Sequence, residues 1–414
     1  MTHLYDTAIV GAGAAGLMTA IQCARKGIDV LLLDGREKIG AKILMSGGTR
    51  CNVTNQQVDE RDFAGDRPIA IRNVLRAYPA DKAVAFFNEI GVDLISEEGG
   101  KYFPSTHSAR TVLDALLAEC KKGGVDLVTG RKITRVFSDG ECFTLWAGEE
   151  EFTAKTAVLA TGGLSYPTTG SDGSGYPVAE HFGHTLVPTV PALTPLKTED
   201  AIWKKLSGVA LPVRLTLRTG GKRIIQFEEP LLFTHFGFSG PAALNISRYW
   251  LRHAAQKNTE IIASFLPESS EEILALEIEE ARKETPQASV RNFMAQKTPK
   301  RIAAFLLDLA EIPADRNFAD LRREERHALM THFFYCMLPV SDVMGYGKAE
   351  ATAGGVRLAE IDTATMESKL EQGLFFAGEM LDADGHIGGF NFQWAWSSGT
   401  VAAGGIAKRL KLQV

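Results

Sequence analysis

Two short apolar runs and one helical repeat open the chain. The first run, residues 5–10, is rich in β-branched and apolar side chains, and residues 29–33 have the same character. Between them, residues 14–26 repeat small and apolar positions at helical spacing until Gly27 interrupts the pattern. Apolar runs of this length, bounded by glycine, favour buried strands on either side of an amphipathic helix. The pattern therefore predicts a βαβ unit at the start of the chain.

The same periodicities divide the rest of the chain into further elements. A proline-rich stretch at 188–195 is predicted to cross between domains, and the charged stretch 269–334 is predicted to be helical. Near the end, an apolar strand reaches 377–379 and a last helix runs through Gly405. The other predicted elements are helices at 71–91, 108–122 and 177–182, and strands at 92–96, 126–129, 131–138, 142–145, 151–155, 156–160, 213–218, 223–228 and 261–265.

A glycine pattern lies where the first strand meets the first helix. Gly11, Gly13 and Gly16 fit G-x-G-x-x-G, and Asp34 ends the second strand. In dinucleotide-binding units the first glycine permits a tight turn, the second admits a pyrophosphate, and the third lets helix and strand pack closely. The helix N-terminus then binds the pyrophosphate, and a carboxylate such as Asp34 accepts hydrogen bonds from ribose. The sequence therefore predicts a bound dinucleotide.

Residues 40–55 follow this acid and are too polar and glycine-rich for a core element. Lys42 and Arg50 offer cations for phosphate, and Asn52 and Asn55 offer amides for the edges of a ring. The backbone of Ser46–Gly48 is suited to lie flat against a ligand. A loop that lines the cofactor is the first interpretation, and a surface loop with a helix cap is the alternative.

Composition narrows the class of protein further. The chain has 414 residues, which predicts two or three domains, and its formal net charge of −5 gives no overall basic signature for nucleic acid. Five scattered cysteines without a C-x-x-C argue against a disulfide scaffold, a zinc cluster and a dithiol reductase, so no metal site is expected. The strand at residue 5 leaves no room for a signal peptide, and no apolar run reaches the roughly 18 residues of a spanning helix. A cytoplasmic protein without a membrane partner is expected.

One basic run stands out in the charged helical stretch. Within 282–301 a single acid, Glu284, accompanies six cations: Arg282, Lys283, Arg291, Lys297, Lys300 and Arg301. A solvated helix face is the ordinary meaning of such a run. A contact with the phosphate backbone of RNA is the sharper alternative.

Longer motifs then reveal a family resemblance that covers nearly the whole chain. They are K-I-L-M-S-G-G-x-R-C-N-x-T-N, A-T-G-G-x-S-Y-P-x-x-G-S-x-G-x-G-Y, L-F-T-H-x-G-x-S-G-P and A-G-E-x-L-D-x-D-G-x-x-G-G-x-N-x-Q-x-A-x-S-S-G. With these motifs the chain resembles the YhiN/BaiN-like family of FAD-dependent oxidoreductases, which are two-dinucleotide-fold flavoproteins. One departure is Thr49, where the family pattern has glycine.

The resemblance implies a fold class and a domain organisation. The class is α/β, with a Rossmann-like FAD-binding domain of the glutathione-reductase type and an inserted β-barrel-like and helical domain. The FAD-binding domain is expected to combine residues 1–190 and 346–414. Between them, 191–268 would form a β-rich insert and 269–345 a helical subdomain. The oligomeric state does not follow from the sequence, and a monomer is plausible.

The resemblance also implies FAD-binding residues. The pyrophosphate would lie on the first glycine turn, the adenosine ribose at Asp34, and adenine near the backbone of Ile133. The remaining segments would contact the flavin, ribityl and central parts of FAD. The full expected set is Gly11, Gly13, Ala14, Ala15, Gly16, Asp34, Gly35, Lys42, Ser46, Gly47, Arg50, Cys51, Asn52, Ile133, Thr161, Gly162, Gly378, Glu379, Asp382, Gly388, Gly389, Phe390 and Asn391.

The activity implied by the family is hydride transfer through flavin N5, with NAD(P)H as a transient electron donor. The first hypothesis is reduction of an activated C=C bond in a small molecule. The second is reduction of uridine to dihydrouridine in 23S ribosomal RNA, and the third is oxidation of a small amine. Candidates for a proton donor are Cys51, Tyr166 and His386, with His235 as a further one, although a structural role is the ordinary expectation for each.

Overall fold

The computed structural model describes residues 3–411, which fold as two compact units. One unit, here called the two-segment unit, joins the chain up to Ala192 with the chain from Tyr346 onward. The other, the inserted unit, is Leu193–Gly345. Within the described residues, no helix has the length and apolar character needed to cross a membrane.

The first segment of the two-segment unit carries eleven strands and six α-helices among its described residues. The strands are β1 (Leu4–Val10), β2 (Val30–Leu33), β3 (Thr54–Asn55), β4 (Phe63–Ala64), β5 (Leu94–Glu97), β6 (Lys101–Pro104), β7 (Asp126–Val128), β8 (Arg135–Ser138), β9 (Phe143–Ala147), β10 (Glu150–Leu159) and β11 (Leu186–Ala192). The helices are α1 (Ala14–Ala24), α2 (Ala41–Thr49), α3 (Pro68–Ala77), α4 (Ala80–Glu89), α5 (Ala109–Lys122) and α6 (Tyr176–His181).

The inserted unit and the second segment complete the order of elements. The inserted unit contains β12 (Leu196–Lys197), α7 (Ala201–Lys204), β13 (Ala210–Thr219), β14 (Lys222–Thr234), β15 (Gly237–Ser239), α8 (Gly240–His253), β16 (Thr259–Ser264), α9 (Glu271–Glu284), α10 (Val290–Lys297), α11 (Lys300–Leu309), α12 (Arg323–Phe334), β17 (Cys336–Leu338) and β18 (Asp342–Val343). The second segment contains β19 (Ala351–Val356), β20 (Ile361–Asp362), β21 (Glu367–Ser368), β22 (Leu374–Phe376), β23 (Asp384–Gly385) and α13 (Phe390–Arg409), and 3-10 turns at 60–62, 98–100, 167–169, 346–348, 358–360 and 378–380 join elements.

A parallel sheet forms the centre of the two-segment unit. Its strands lie in the order β22-β10-β1-β2-β7, so a strand from the second segment pairs with strands from the first. Alternate residues of these strands enter different cores: Ile9 and Leu32 pack on one side, and Ala8 and Leu31 on the other. Strands that are buried on both faces are apolar at every position, which explains the continuous apolar runs of the sequence.

The inserted unit is built on a seven-stranded sheet in the order β17-β16-β13-β14-β15-β12-β18, with β17 and β18 at its edges. Its neighbouring strands are antiparallel. A single core joins this sheet to helices α8–α12, and Trp203 stacks on Phe233 with ring centroids 6.1 Å apart. Because β17 pairs with β16, the C-terminal part of the predicted helical subdomain 269–345 contributes to the sheet.

Several predicted elements are wrong in detail. The predicted helix 71–91 is two helices, because Pro79 disfavours helical geometry at Tyr78, whose φ and ψ are −140° and 82°. The predicted strands 151–155 and 156–160 are one strand, β10, which pairs with β9 in its first half and with β1 of the parallel sheet in its second half. The proline-rich stretch 188–195, predicted to cross between domains, does contain the boundary between the two units, and its residues up to Ala192 belong to β11, which pairs with β19.

Candidate functional site

The first glycine turn lies between β1 and α1, at the carboxyl end of the parallel sheet. Gly11 has φ +106°, and a Cβ there would lie 2.5 Å from the carbonyl oxygen of Ala160. A Cβ on Gly16 would lie 1.8 Å from the carbonyl oxygen of Gly11. At Gly13, by contrast, no described residue other than its chain neighbours comes within 4 Å of the Cβ position. Gly11 and Gly16 are therefore required by backbone packing, whereas Gly13 leaves room for a ligand.

The start of α1 provides donors for an anion. Gly13 is its N-cap, and no side chain of the described residues caps the helix. The first N–H groups of an α-helix have no intrahelical acceptor, and the helix dipole adds a partial positive charge there. Ala14 and Ala15 begin the helix without bulky side chains. This geometry fits a pyrophosphate.

Asp34 is held by the backbone around it. Its Oδ2 accepts from the N–H of Ala12 at 2.8 Å, and its Oδ1 accepts from the N–H of Arg36 at 2.8 Å. The carboxylate is half-buried, and each oxygen keeps acceptor capacity for a ribose hydroxyl. The Arg131 N–H donates to the Asp34 carbonyl at 2.8 Å, which brings the buried Ile133 close to this edge. Gly35 is exposed beside them.

Lys42 is part of a polar network that joins both segments of the unit. Its Nζ donates to the Ser165 hydroxyl at 2.5 Å and forms an ion pair with Glu379. Ser165 also donates to Glu379, and the Thr352 N–H donates to Glu379 Oε1 at 2.9 Å. The Thr352 hydroxyl in turn accepts from the N–H of Leu164 at 2.8 Å and of Ser165 at 3.1 Å. We refer to Lys42, Ser165, Thr352 and Glu379 as the lysine network.

The stretch 40–55, predicted as a loop, begins with helix α2 and then turns sharply. Ser46 is extended, and Gly47 and Gly48 have φ of +54° and +65°. Thr49 also has a positive φ, of +71°, and Cys51, after the right-handed Arg50, has φ +62°. Non-glycine residues rarely adopt this conformation, because Cβ crowds the backbone. The glycine that the family pattern has at position 49 therefore corresponds to a left-handed position.

Replacing Thr49 by glycine is expected to raise the free energy of unfolding by about 0.5–1 kcal/mol. A strained φ costs on the order of 1–3 kcal/mol, and the greater freedom of an unfolded glycine returns roughly 0.5–1 kcal/mol. Thr49 is exposed, so little packing is lost. Urea unfolding would measure the change. The exposed Thr168, which lacks a positive φ, serves as the control: Thr168→Gly should destabilise, and destabilisation by Thr49→Gly would refute the strain argument.

The side chains that follow this turn have distinct environments. Arg50 forms two hydrogen bonds with Glu97, at 2.8 and 3.1 Å, and lies over the ring of Phe103, so its charge is already matched within the protein. Asn52 is buried, and its Oδ1 has no hydrogen-bond partner among the described residues. A buried acceptor without a partner is costly and marks a place for a ligand donor.

At the end of β10, Thr161–Gly163 turns away from the sheet. Gly162 has φ +75°, and a Cβ there would lie 2.7 Å from the Ser171 hydroxyl. The buried Ser171 hydroxyl has no hydrogen-bond partner within residues 3–411. The Thr161 hydroxyl lies 3.9 Å from the sulfur of Met380. The turn thus reaches the 3-10 turn at 378–380.

The C-terminal segment supplies two more glycine turns. Gly378 has φ +77°, its N–H donates to the Ser398 hydroxyl at 2.9 Å, and a Cβ there would lie 2.7 Å from the Cβ of Ala15. Asp382 is buried, and its Oδ2 accepts from the N–H of Asp66 at 3.0 Å. Glu379 belongs to the lysine network. The turn at Gly378 thus lies beside the start of α1, as expected for a group near a pyrophosphate.

The second glycine turn starts α13. Gly388 and Gly389 have φ of +138° and +96°, and the Gly388 carbonyl accepts from Asn55 Nδ2 at 3.1 Å. A Cβ on Gly389 would lie 2.8 Å from Asn52 Oδ1. Phe390 is half-buried at the first turn of the helix, and the Asn391 side chain exchanges hydrogen bonds of 2.8 and 3.0 Å with the backbone of Gly385. Asn391 therefore orients the turn from within the protein.

The candidate proton donors differ in their surroundings. Burial raises the pKa of the fully buried Cys51 thiol to about 12, which suits a structural cysteine. Tyr166 has φ +50°, and burial followed by the charge of Glu350 raises the pKa of its phenol. His386 is half-buried, and its backbone N–H donates to the backbone carbonyl of Asp62 at 2.8 Å. His235 lies in the inserted unit against the edge of Phe236.

The parallel sheet and its glycine turns form a Rossmann-like cofactor fold, and the family of the chain makes it an FAD-dependent oxidoreductase. The chain belongs to the family described as HI0933-like protein Rossmann domain, whose model matches residues 5–405. The resemblance, the fold class and the class of enzyme predicted from the sequence are thereby confirmed, and so is FAD. The individual site residues remain predictions. They are supported by the unpaired Asn52 Oδ1, by the open space at Gly13 and by the uncapped start of α1.

Relatives match the chain from end to end. It is 35% identical over 402 residues to the ribosomal RNA dihydrouridine synthase of Escherichia coli (strain K12), covering 96% of this chain and 97% of the relative. It is 32% identical over 404 residues to the 3-dehydro-bile acid delta(4,6)-reductase of Clostridium scindens, covering 97% and 98%. The solved 3-ketosteroid delta1-dehydrogenase of Sterolibacterium denitrificans shares the fold, with a TM-score of 0.52 and 13% identity over 99% of this chain and 100% of that one.

Sequence reasoning missed several residues of the site. Ser165 and Thr352 of the lysine network were not predicted, although Ser165 lies in the motif that follows A-T-G-G. No local pattern marks Thr352, because its partners lie far away in the chain. Gln393, in the last of the family motifs, was also assigned no role from the sequence, and the structure places this side chain in the core.

Proposed function

We propose that the protein is an NAD(P)H-linked reductase that adds a hydride and a proton across a C=C bond conjugated with a carbonyl group. The observation that carries the proposal is the end-to-end similarity to the two relatives above. Uridine becomes dihydrouridine, and a delta(4,6) bile acid is reduced, by the same step: a polarised C=C bond gains two hydrogens. This step suits a flavin, whose N5 accepts and donates hydride.

The chain's own residues would bind and orient the reacting groups. Bound FAD would supply hydride transfer through N5. The start of α1 would hold the pyrophosphate and Asp34 the ribose. Asn52 Oδ1 and the turn at Gly388 and Gly389 would meet the edge of the ring. Because a helix N-terminus favours negative charge, the start of α13 would stabilise the charge that reduction places on the ring.

The cysteines support this choice over disulfide reduction. All five cysteines lie within residues 3–411 and are free, and four of them are buried. A dithiol reductase needs two reactive thiols near each other and near the flavin. Burial raises the pKa of the Cys23, Cys120 and Cys336 thiols, which disfavours the reactive thiolate.

The proposal is tested by anaerobic titration of the FAD-loaded protein with NADPH and with NADH while flavin absorbance is followed. Bleaching by either, followed by reoxidation with 2-cyclohexenone or a 3-keto-4-ene steroid, is the expected result. Product analysis by mass spectrometry would show the gain of two hydrogens. A flavin that is not bleached by either nucleotide but is bleached by an amine would favour an oxidase and overturn the proposal.

Reduction of uridine in ribosomal RNA is a second candidate, favoured by the relative of Escherichia coli. The predicted basic run gives it only partial support. Arg291 pairs with Asp308 at 2.6 Å, and Lys297 pairs with Glu277 at 2.6 Å. Arg301 donates to the Lys205 and Ser207 carbonyls. Three of the six cations thus form contacts within the inserted unit. The other three, Arg282, Lys283 and Lys300, are exposed.

Changing Arg282, Lys283 and Lys300 together to glutamate is expected to weaken RNA binding at least about tenfold if these cations contact phosphates, because counterion release depends on each cation. Filter binding to ribosomal RNA at two salt concentrations would measure the affinity and its salt dependence. The triple change Lys222→Glu, Arg223→Glu and Lys257→Glu is the control, since it alters the same charge on exposed residues of the same unit. Equal affinities of the two variants would rule out the basic run as the RNA contact.

A further inference from the structure

Residues 170–172 lie at the carboxyl end of the parallel sheet and contact two strands that are not neighbours. Strand β1 lies between β10 and β2, and Val10 at its end pairs with Leu159 on one side and Leu33 on the other. The three strands therefore end at the same level, and the first glycine turn leaves the sheet from the middle one. A segment that contacts the chain beyond β10 and the chain beyond β2 has to cross the end of β1.

The contact with the end of β10 is made by Ser171 and the residue pair that follows the strand. A Cβ on Gly162 would lie 2.7 Å from the Ser171 hydroxyl, so the serine packs directly on that glycine. The Gly173 N–H donates to the carbonyl of Gly163 at 3.0 Å. Ser171 is buried. This side of the segment is therefore fixed by packing and by a backbone hydrogen bond.

The contact with the chain beyond β2 is made by Gly170 and Asp172. A Cβ on Gly170 would lie 2.9 Å from the Cδ of Arg36. Asp172 Oδ2 accepts a hydrogen bond from Lys132 Nζ at 2.6 Å. Lys132 in turn packs on Gly35, where a Cβ would lie 3.0 Å from the lysine Cβ. The segment is thus joined to both sides of the crevice above the first glycine turn.

The ion pair lies at the adenosine end of the predicted FAD site. Asp34, the predicted ribose acceptor, directly precedes Gly35, and Ile133, the predicted adenine neighbour, directly follows Lys132. In parallel α/β sheets a dinucleotide lies outside the carboxyl ends of the strands, against the glycine turn. Residues 170–172 therefore cross the place where the adenosine half of FAD would lie.

The two attachments of the segment differ in strength. The Lys132 and Asp172 side chains are 54% and 35% exposed, and an ion pair in contact with water contributes little and opens readily. The other carboxylate oxygen of Asp172 accepts from the Ser174 N–H at 3.1 Å, which orients the carboxylate toward the lysine. The segment is thus anchored beside Gly162 and is held at its other end by a reversible contact.

We propose that residues 170–172 form a clasp over the adenosine half of bound FAD, and that the ion pair between Lys132 and Asp172 holds the clasp closed. Both residues would be positioning residues, because they act on FAD through the clasp. FAD leaves when the ion pair is open, so the clasp keeps FAD bound while NAD(P)H and substrate exchange. The inference rests on the predicted position of FAD at the first glycine turn and is independent of which substrate is reduced.

The test is the rate at which bound FAD is released. Protein loaded with radiolabelled FAD is mixed with excess unlabelled FAD, and the label that stays on the protein is followed with time. Lys132→Asp and Asp172→Lys each place like charges at the clasp, so each should accelerate release on the order of fivefold. The double exchange of Lys132→Asp with Asp172→Lys restores opposite charges and should return release to near the wild-type rate.

The neighbouring ion pair between Arg131 and Glu150 provides the matched control. Its side chains are 42% and 47% exposed, and Glu150 begins β10, at the opposite end of the strand from Gly162. Glu150→Lys makes the same change of charge as Asp172→Lys and should release FAD at the wild-type rate. Slower release from Asp172→Lys would mean that Lys132 and its surroundings attract the phosphates of FAD directly, and this would overturn the clasp. A double exchange whose effect is the product of the two single effects would overturn it as well.

The release measurement separates this inference from the proposed function, because it needs neither NAD(P)H nor a C=C substrate. Rescue by the double exchange in a protein that reduces no enone would support the clasp and count against the proposed reaction. Reduction of 2-cyclohexenone by a protein whose FAD release is the same in all these variants would overturn the clasp and leave the reductase intact.

Discussion

Replacing Gly13 by alanine is expected to weaken FAD binding without unfolding the protein. No described residue other than the chain neighbours of Gly13 lies within 4 Å of its Cβ position, so the fold accepts the methyl group. The cofactor does not accept it, because the pyrophosphate approaches the backbone at this glycine. A clash of one methyl group costs about 1–3 kcal/mol, which corresponds to a loss of affinity of about 5- to 150-fold.

The measurement is fluorescence titration of the FAD-free protein with FAD, accompanied by circular dichroism. Gly404 is the matched control, since it also has open space at its Cβ position but lies near the end of α13, away from the glycine turn. Gly404→Ala should bind FAD as the wild type does. Wild-type affinity in Gly13→Ala would show that the pyrophosphate does not lie on this turn.

Replacing Gln393 by leucine is expected to destabilise the two-segment unit by about 2–3 kcal/mol, because buried partners lose their hydrogen bonds. Gln393 is fully buried in α13. Its Nε2 donates to the Tyr78 carbonyl at 2.9 Å and to the Ser397 hydroxyl at 3.0 Å, and its Oε1 accepts from Thr54 at 2.6 Å. This one side chain joins α13 to β3 and to the break between α3 and α4.

Urea unfolding followed by tryptophan fluorescence would report the loss, since Trp394 and Trp396 flank the site. The exposed Gln256 offers the matched control, and Gln256→Leu should change the midpoint little. An unchanged midpoint in Gln393→Leu would mean that the three hydrogen bonds contribute nothing net. It would also remove the structural explanation for the glutamine in the family motif.

The sequence predicted the structure best where the hydrophobic pattern and the glycine positions indicate the same element. The βαβ unit was predicted within a few residues, because buried parallel strands are apolar throughout and Gly11 and Gly16 are needed for close backbone contacts. Of the predicted strands 126–129, 131–138, 142–145 and 151–155, the last three exist as β8, β9 and β10 with antiparallel pairing, whereas the first, β7, pairs in parallel with β2. In these cases the residues that determine the structure are neighbours in the chain.

The sequence did not predict contacts between residues that are far apart in the chain. The partners of Lys42 are Ser165 and Glu379, and no spacing in the sequence reveals such a network. The basic run 282–301 contains a single acid, but Asp308 and Glu277, which pair with Arg291 and Lys297, lie outside this range. Helix α2 was missed because left-handed residues follow its first turns, and a glycine-rich composition hides a short helix.

The two-segment construction of the cofactor unit has a consequence for synthesis on the ribosome. Strand β22 and helix α13 come from the last part of the chain, yet β22 pairs with β10 and α13 packs so closely on α1 that a Cβ at Gly399 would lie 2.8 Å from the Ala15 carbonyl. A nascent chain that ends before residue 374 lacks both elements. The cofactor unit therefore stays incomplete while the inserted unit is being translated. FAD binding is accordingly expected only after β22 and α13 have been synthesised.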